Sequence, residues 1–337
     1  MAVVLGGGGP VGYAFHAGVL AALADGGFDA RSAGLLVGTS IGAATAGLLR
    51  AGMSPHDLSA RVARTQMSAE GVALLERAGG WPTFPAPADV VAARWGRPAS
   101  PALLGRLLRA PGRVRPGLLI AALANAGTVD AGPIADGLDR AAGGTWPAAA
   151  TWVCAVDLDA GERVVFGAPG GPAAGLGTAV AASCAVPSYF RPVEVGGRRF
   201  VDGGVHSPAN TDLVGALAAG PTRPAAVVVS LPMGITGRPG RFGVDLPGRH
   251  LNTRGARRGL APLVAAGVPV VLVAPTAREL RVMGYDAFDR SRLDEVARRA
   301  RRSTTERLAE GRRRGDAAVA VLDAAAAAPG GVLAERP

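Results

Sequence analysis

Nine residues, Leu35-Leu36-Val37-Gly38-Thr39-Ser40-Ile41-Gly42-Ala43, constrain this chain more than any other stretch. Leu35, Leu36 and Val37 suit a short buried strand, and the run from Ala43 (Ala-Ala-Thr-Ala-Gly-Leu-Leu-Arg) suits a helix. Between them, Gly38-x-Ser40-x-Gly42 has the pattern of a nucleophile elbow. The logic is steric. A serine thrown out on a sharp strand-to-helix turn holds a strained backbone, and the residues two away on either side must be nearly free of side chain. The turn also sets the serine oxygen at a helix N-terminus, where free N–H groups favour developing negative charge. In a chain with 50 glycines the same pattern also arises as a plain tight turn into a helix, so its meaning depends on what accompanies it.

The chain opens with a strand, Val3-Val4-Leu5, followed by Gly6-Gly7-Gly8-Gly9-Pro10-Val11-Gly12 and a helix carrying Phe15, Val19, Ala22 and Leu23 on one face. Gly26-Gly27 supplies the stop. Gly7-x-Gly9-x-x-Gly12 fits the dinucleotide-binding fingerprint, which requires an acidic residue closing the second strand. Asp29 has about the right distance but precedes that strand. The other use of such a loop is an oxyanion hole, in which successive N–H groups converge on one oxygen. Pro10 has no N–H, which leaves Gly8, Gly9 and Val11 as donors, with the Ile41 N–H after the serine as a further one.

Residues 53–150 read as short helices (55–66, 69–78, 88–95, 101–109, 118–126 and 134–142) broken by Gly and Pro. They pack on a sheet or form a lid over an apolar acyl cleft. A strand pair follows at 151–157 and 162–166, then a helix at 177–185. A second short pair at 193–195 and 199–201 ends in Asp202-Gly203-Gly204. A helix at 213–219 and an apolar strand at 226–231 come next. Residues 232–258, rich in Gly, Pro and Arg, read as a mobile loop. A strand at 270–274 and helices at about 290–314 and 316–328 finish the chain. This alternation predicts an α/β fold with a mainly parallel central sheet flanked by helices.

All 36 basic residues are arginine, and the net charge is +10. The bias reads partly as a coding habit, though it permits attraction to anionic surfaces. Only 4% of the chain is aromatic, which argues against nucleic acid as a partner. Cys154 and Cys184 read as buried thiols. His16, His56, His206 and His250 show no metal-ligand spacing, so neither metal nor cofactor is expected. The start of the chain lacks a basic n-region and an apolar h-region, and the uncharged stretch 259–277 contains Pro262, Pro269 and Pro275. The expectation is a cytoplasmic, soluble protein with weak peripheral contact to anionic membranes. That contact would come from 278–314, where twelve arginines face seven acids. Arg298, Arg299, Arg301 and Arg302 share one helical stretch there. Its other face (Leu293, Val296, Ala300 and Leu308) is small and Ala-rich, which favours packing on the sheet over entering lipid.

Three pieces therefore stand in order: a glycine loop at 6–12, G-x-S-x-G at 38–42 and D-G-G at 202–204. Together they resemble the patatin-like phospholipase family, over about residues 3–214. The resemblance implies a patatin-like three-layer fold. It implies a lipid acyl hydrolase that cleaves carboxylic esters of a lipid or other ester substrate through a serine–aspartate dyad. Ser40 would be the nucleophile and Asp202 its base. The loop Gly7, Gly8, Gly9, Val11 and Gly12, with Ile41, would form the oxyanion hole. Gly38, Gly42, Gly203 and Gly204 would let the backbone pass close by, and Asn210 would lend local hydrogen bonding. The family loop often carries Arg or Lys before its last glycine, where this chain has Val11. Residues 1–215 would be the catalytic unit, including the helical insertion at about 53–150. Residues 216–337 would continue the same α/β unit with the loop 232–258 and terminal helices. An ordinary aspartate is a poor base for a serine hydroxyl, but a cleft that desolvates Asp202 strengthens it. Asp-Gly is also a common hairpin pair. Two other readings stay open: an α/β-hydrolase triad of Ser40, Asp202 and His250 (or His206), and a non-catalytic lipid- or nucleotide-binding protein. An elbow after only the second strand argues against the triad.

Overall fold

Successive residues of the first strand point to opposite faces, and both faces are buried. In the computed structural model, which describes residues 1–80, 98–109, 116–240 and 242–327, β1 (Ala2–Leu5) sends Val3 and Leu5 into one core and Ala2 and Val4 into another. That double burial is why the strand is apolar throughout. The other strands are β2 (Leu35–Thr39), β3 (Ala150–Asp157), β4 (Glu162–Phe166), β5 (Val193–Val195), β6 (Arg198–Asp202), β7 (Val227–Ser230) and β8 (Val270–Val273). They form one sheet in the order β5-β6-β3-β2-β1-β7-β8, with β4 also paired to β3. Strands β3, β2, β1, β7 and β8 run parallel; β4, β5 and β6 pair antiparallel.

Helices cover both faces, giving three layers. In chain order they are α1 (Gly9–Asp25), α2 (Ile41–Arg50), α3 (Pro55–Ala63), α4 (Ala69–Ala78), α5 (Pro101–Arg109), α6 (Pro116–Leu123) and α7 (Gly132–Ala141). Then follow α8 (Leu176–Ser183), α9 (Asp212–Gly215), α10 (Leu246–Ala265), α11 (Ala277–Met283), α12 (Leu293–Arg314) and α13 (Ala317–Ala327). The larger core holds α1, α2, α8 and α12 against Val3, Leu5, Leu36 and Val153. The opposite core sets Val214, Ala256, Leu260 and Leu263 of α9 and α10 against Val4, Val37, Val227 and Val229. Helices α5 and α6 cover the end of β3 through Leu103, Leu118 and Ala122. The helix expected at 88–95 lies outside the described residues.

Two segments differ from expectation. The loop expected across 232–258 ends at Asp245, and 246–258 belongs to the long helix α10. Its Pro247 sits in the first turn, where the missing N–H is not needed. Arg249 is buried: its Nε donates to the Asp245 carboxylate at 2.6 Å, and its Nη1 donates to the carbonyls of Pro232 and Gly234. The second difference is α11, for which no helix was expected. Thr276 and Glu279 form a capping box, with the Glu279 carboxylate accepting the Thr276 N–H at 2.7 Å.

The arginine-rich helix α12 buries Val296, Ala300 and Leu308 against α1 rather than against the sheet. The approach is close enough that a Cβ on Gly18 would stand 2.2 Å from the Ala297 carbonyl oxygen. Arg298 pairs with Asp294 and Glu295, Arg299 with Glu295, Arg302 with Glu306 and Arg301 with Asp25 of α1. Most arginines on this helix thus have an acid within reach, although the helix carries eight arginines against four acids. Among the described residues, no helix is long and apolar enough to cross a membrane.

Candidate active site

Strand β2 ends at Thr39 and α2 begins at Ile41, so Ser40 must turn the chain alone. It does so at φ 55° and ψ −128°, a conformation that side chains disfavour and that costs about 1–3 kcal/mol. Its neighbours over-determine that geometry. The Ser40 N–H donates to Ser183 Oγ at 2.9 Å, and Ser183 Oγ donates in turn to the Cys154 carbonyl at 2.6 Å. Asn210 Nδ2 donates to Thr39 Oγ1 at 3.1 Å, while Arg163 Nη1 donates to Asn210 Oδ1 at 3.2 Å. The two glycines of the elbow serve close approach. A Cβ on Gly38 would lie 2.4 Å from the Ala43 Cα, and one on Gly42 would lie 2.1 Å from the Leu5 carbonyl oxygen.

Strand β6 delivers Asp202 to this turn. The Ser40 hydroxyl donates directly to Asp202 Oδ2 at 2.6 Å, and the Gly204 N–H donates to Asp202 Oδ1 at 2.6 Å. Gly203 lets the chain pass over β3: a Cβ there would meet the Cys154 carbonyl oxygen at 2.2 Å. Asp202 is buried, and loss of solvent raises its pKa from 3.8 to about 6, against the opposing pull of the Ser40 and Gly204 hydrogen bonds. The carboxylate is therefore a stronger base than an exposed aspartate, yet it stays ionised at neutral pH. Among the described residues, the side-chain partners of Ser40 and Asp202 are each other and Gly204. His250 is exposed on α10, and His206 acts electrostatically on Asp212.

The glycine loop leaves β1 beside the elbow, with Gly7 close enough that a Cβ would lie 3.3 Å from Ser40 Cβ. Gly8 and Gly9 hold φ of 155° and 58°, which side chains rarely adopt. Several N–H groups of the loop are already engaged: Gly7 donates to the Pro208 carbonyl at 2.7 Å, Val11 to the Ala287 carbonyl at 3.1 Å and Gly12 to the Gly8 carbonyl at 2.8 Å. Among the described residues, the N–H groups of Gly8, Gly9 and Ile41 have no such partner. The buried His16 braces the loop from behind. Its Nε2 donates to the Gly6 carbonyl at 2.7 Å, which leaves Nδ1 to accept from Ser230 Oγ at 2.8 Å. Burial lowers its pKa to about 4, so the ring is neutral at ordinary pH.

Ser40 and Asp202 open onto a cavity of about 720 Å3, within the range that suits a small ligand. Its walls are mainly apolar. Ile120 and Ile134 come from the 53–150 stretch, Val186, Tyr189 and Phe190 from the segment after α8, and Met233, Ala287 and Phe288 from the C-terminal part. A second, small apolar hollow lies behind Ala44 and Ile134, which line both spaces. Cys154 and Cys184 are buried free thiols, and Cys184 also faces the main cavity. No group of three or more His, Cys, Asp or Glu among the described residues is arranged to hold a metal ion.

Sequence reasoning placed Ser40, Asp202, the glycine loop and Asn210 in one neighbourhood, and the structure brings them together. It missed Ser183, His16 and Ala287. The only sequence trace of the first two is a polar residue inside an otherwise apolar helix, and Ala287 acts through its backbone.

No curated protein matches the chain. The sequence model of the patatin-like phospholipase family matches residues 3–214, which takes in the glycine loop, the elbow and the D-G-G turn. With well over half its length covered by that one match, the chain belongs to the patatin-like phospholipase family.

Proposed function

We propose that this protein is a lipid acyl hydrolase that cleaves carboxylic esters through an acyl-enzyme on Ser40. The family acts on lipid ester substrates. The observation that carries the reading is the direct 2.6 Å bond from Ser40 Oγ to a buried, base-shifted Asp202 at the wall of an apolar cavity. Asp202 takes the hydroxyl proton as Ser40 Oγ attacks the ester carbonyl carbon. The carbonyl oxygen becomes an oxyanion, which the N–H groups of Gly8, Gly9 and Ile41 are free to receive. Collapse of that intermediate breaks the ester C–O bond, and the departing alcohol takes the proton from Asp202. Water then attacks the acyl-enzyme with Asp202 again as base, releasing the acid and restoring Ser40. Gly7, Val11 and Gly12 shape the loop; their N–H groups are spent elsewhere. The direct bond supports a dyad over a triad through His250, and the two intact reacting groups support an enzyme over a binding protein on the same scaffold.

The test is hydrolysis of a short p-nitrophenyl ester. Ser40→Ala is expected to lose at least about 10³-fold in kcat/KM. Its melting temperature should stay close to that of the parent, since the cavity and both cores are untouched. A variant that keeps full activity would refute the assignment.

A further inference from the structure

Two charged side chains line the cavity without a part in the acyl transfer, Asp286 and Arg290. Both lie in the segment between α11 and α12, beyond the stretch that matches the family. That segment is fixed as a wall of the site. The Ala287 carbonyl accepts the Val11 N–H at 3.1 Å, and a Cβ on Gly9 would stand 2.8 Å from the same oxygen. The Phe288 ring lies 5.8 Å from that of Tyr189 on the facing wall, and Arg290 acts electrostatically on the Tyr189 phenol. Arg290 therefore stands where two apolar walls meet solvent.

Among the described residues, no carboxylate or carbonyl pairs with Arg290, which sets it apart. Nearly every arginine between 278 and 314 has an acceptor: Arg278 and Arg302 have Glu306, Arg292 has Asp289, Arg301 has Asp25, Arg307 has the Leu272 carbonyl and Arg312 has Asp323. Arg298 and Arg299 are held by acids one turn away, as are Arg313 and Arg314. Among the described residues, Arg281 and Arg290 are left, and of these only Arg290 lines the cavity. Asp286 is nearby in the chain, but its Oδ1 accepts the Phe288 N–H at 2.8 Å, and it forms no ion pair with Arg290. An uncommitted guanidinium at the rim of an apolar, Ser40-bearing cavity offers a planar fork suited to phosphate or carboxylate.

We propose that Arg290 is an anion subsite of this cavity and that the preferred esters carry a phosphate or carboxylate group that reaches it. The inference rests on the acyl-hydrolase reading of Ser40. Asp286, a like charge to such a substrate on the same wall, limits the attraction, so its removal strengthens it.

The test uses the purified full chain and two matched pairs of esters. One pair is a monoacylglycerol and the same monoacylglycerol bearing a phosphate. The other is a neutral p-nitrophenyl ester and its counterpart with a terminal carboxylate on the acyl chain. Arg290→Gln should lower kcat/KM about tenfold for the charged member of one pair or both. Turnover of the neutral members, which also reports on folding, should stay within about twofold of the parent. Asp286→Asn should raise kcat/KM for the charged esters. Which pair responds tells phosphate from carboxylate recognition. Equal losses on charged and neutral members, or no change on either, would overturn the subsite while leaving the hydrolase reading intact. No turnover of any of the four by the parent protein would overturn both.

Discussion

Asp202→Asn is expected to abolish most turnover, by about 10²–10⁴-fold, and at the same time to stabilise the protein at alkaline pH. The loss follows because an amide cannot accept the Ser40 proton. The gain follows from the burial that raises the Asp202 pKa. Its pKa is about 6 in the folded chain against an ordinary 3.8, so the folded state binds the proton more tightly than the unfolded one. The carboxyl is best accommodated below the unfolded value. Stability is lost as pH rises through the interval from 3.8 to about 6 and stays reduced above it. The full difference is on the order of 1–3 kcal/mol. The amide avoids that penalty but gives up a charge-assisted acceptor for Ser40 and Gly204, so the lower half of the range is expected. Thermal melts check this: the stabilisation should be larger at about pH 8 than at about pH 5. The parent protein's kcat/KM should fall below about pH 6, as Asp202 takes up its proton. A flat profile from about pH 5 to 8, with no stability gain in the variant, would show that Asp202 is not a desolvated base.

Gly42→Ala should be a severely damaging single-methyl change that strikes the elbow directly. A Cβ there would lie 2.1 Å from the Leu5 carbonyl oxygen, 2.5 Å from its carbon and 2.7 Å from the Gly6 carbonyl oxygen. These are backbone atoms at the end of β1, an inner strand bonded on both sides, and they cannot swing away as a side chain would. Relief requires moving the first turn of α2, and Ser40 moves with it. We expect a loss of about 3 kcal/mol or more, the upper end of overpacking effects, and a collapse of activity even in the fraction that remains folded. Gly255→Ala is the control. That glycine is also helical, but a Cβ would meet nothing within 4 Å, so alanine should be neutral or stabilise by about 0.5–1 kcal/mol. The contrast is read in parallel denaturant melts; similar effects at the two positions would deny that close approach explains Gly42.

The parts of this protein that were legible in the sequence are those where local chemistry is dictated by a few adjacent residues. The elbow needs small residues on both sides of Ser40, and β1, β2, β3, β7 and β8 need apolar runs because both faces are covered. The less legible parts depend on partners far along the chain. Val11 reads as an oxyanion donor in sequence, but Ala287, remote in the chain, takes its N–H. Ser183 shows in sequence only as a polar residue in an apolar stretch, and its hold on the strained Ser40 backbone spans 143 positions. The stretch 246–258 reads as a loop because glycines and a proline are ordinarily breakers. Pro247 falls where a helix tolerates it, and the buried Arg249 ties the first turn to the Pro232 and Gly234 carbonyls. Helix α11 was readable in principle, since Thr276-x-x-Glu279 is a capping pattern, but at seven residues it is too short for periodicity to reveal.

Covalent labelling tests most directly whether Ser40 is a nucleophile activated by Asp202. The purified protein is treated with a fluorophosphonate at neutral pH and examined by intact mass and peptide mapping. One adduct per chain is expected, on the peptide carrying Ser40, absent in Ser40→Ala and strongly slowed in Asp202→Asn. An unlabelled parent protein, or an adduct on any other residue, would contradict it.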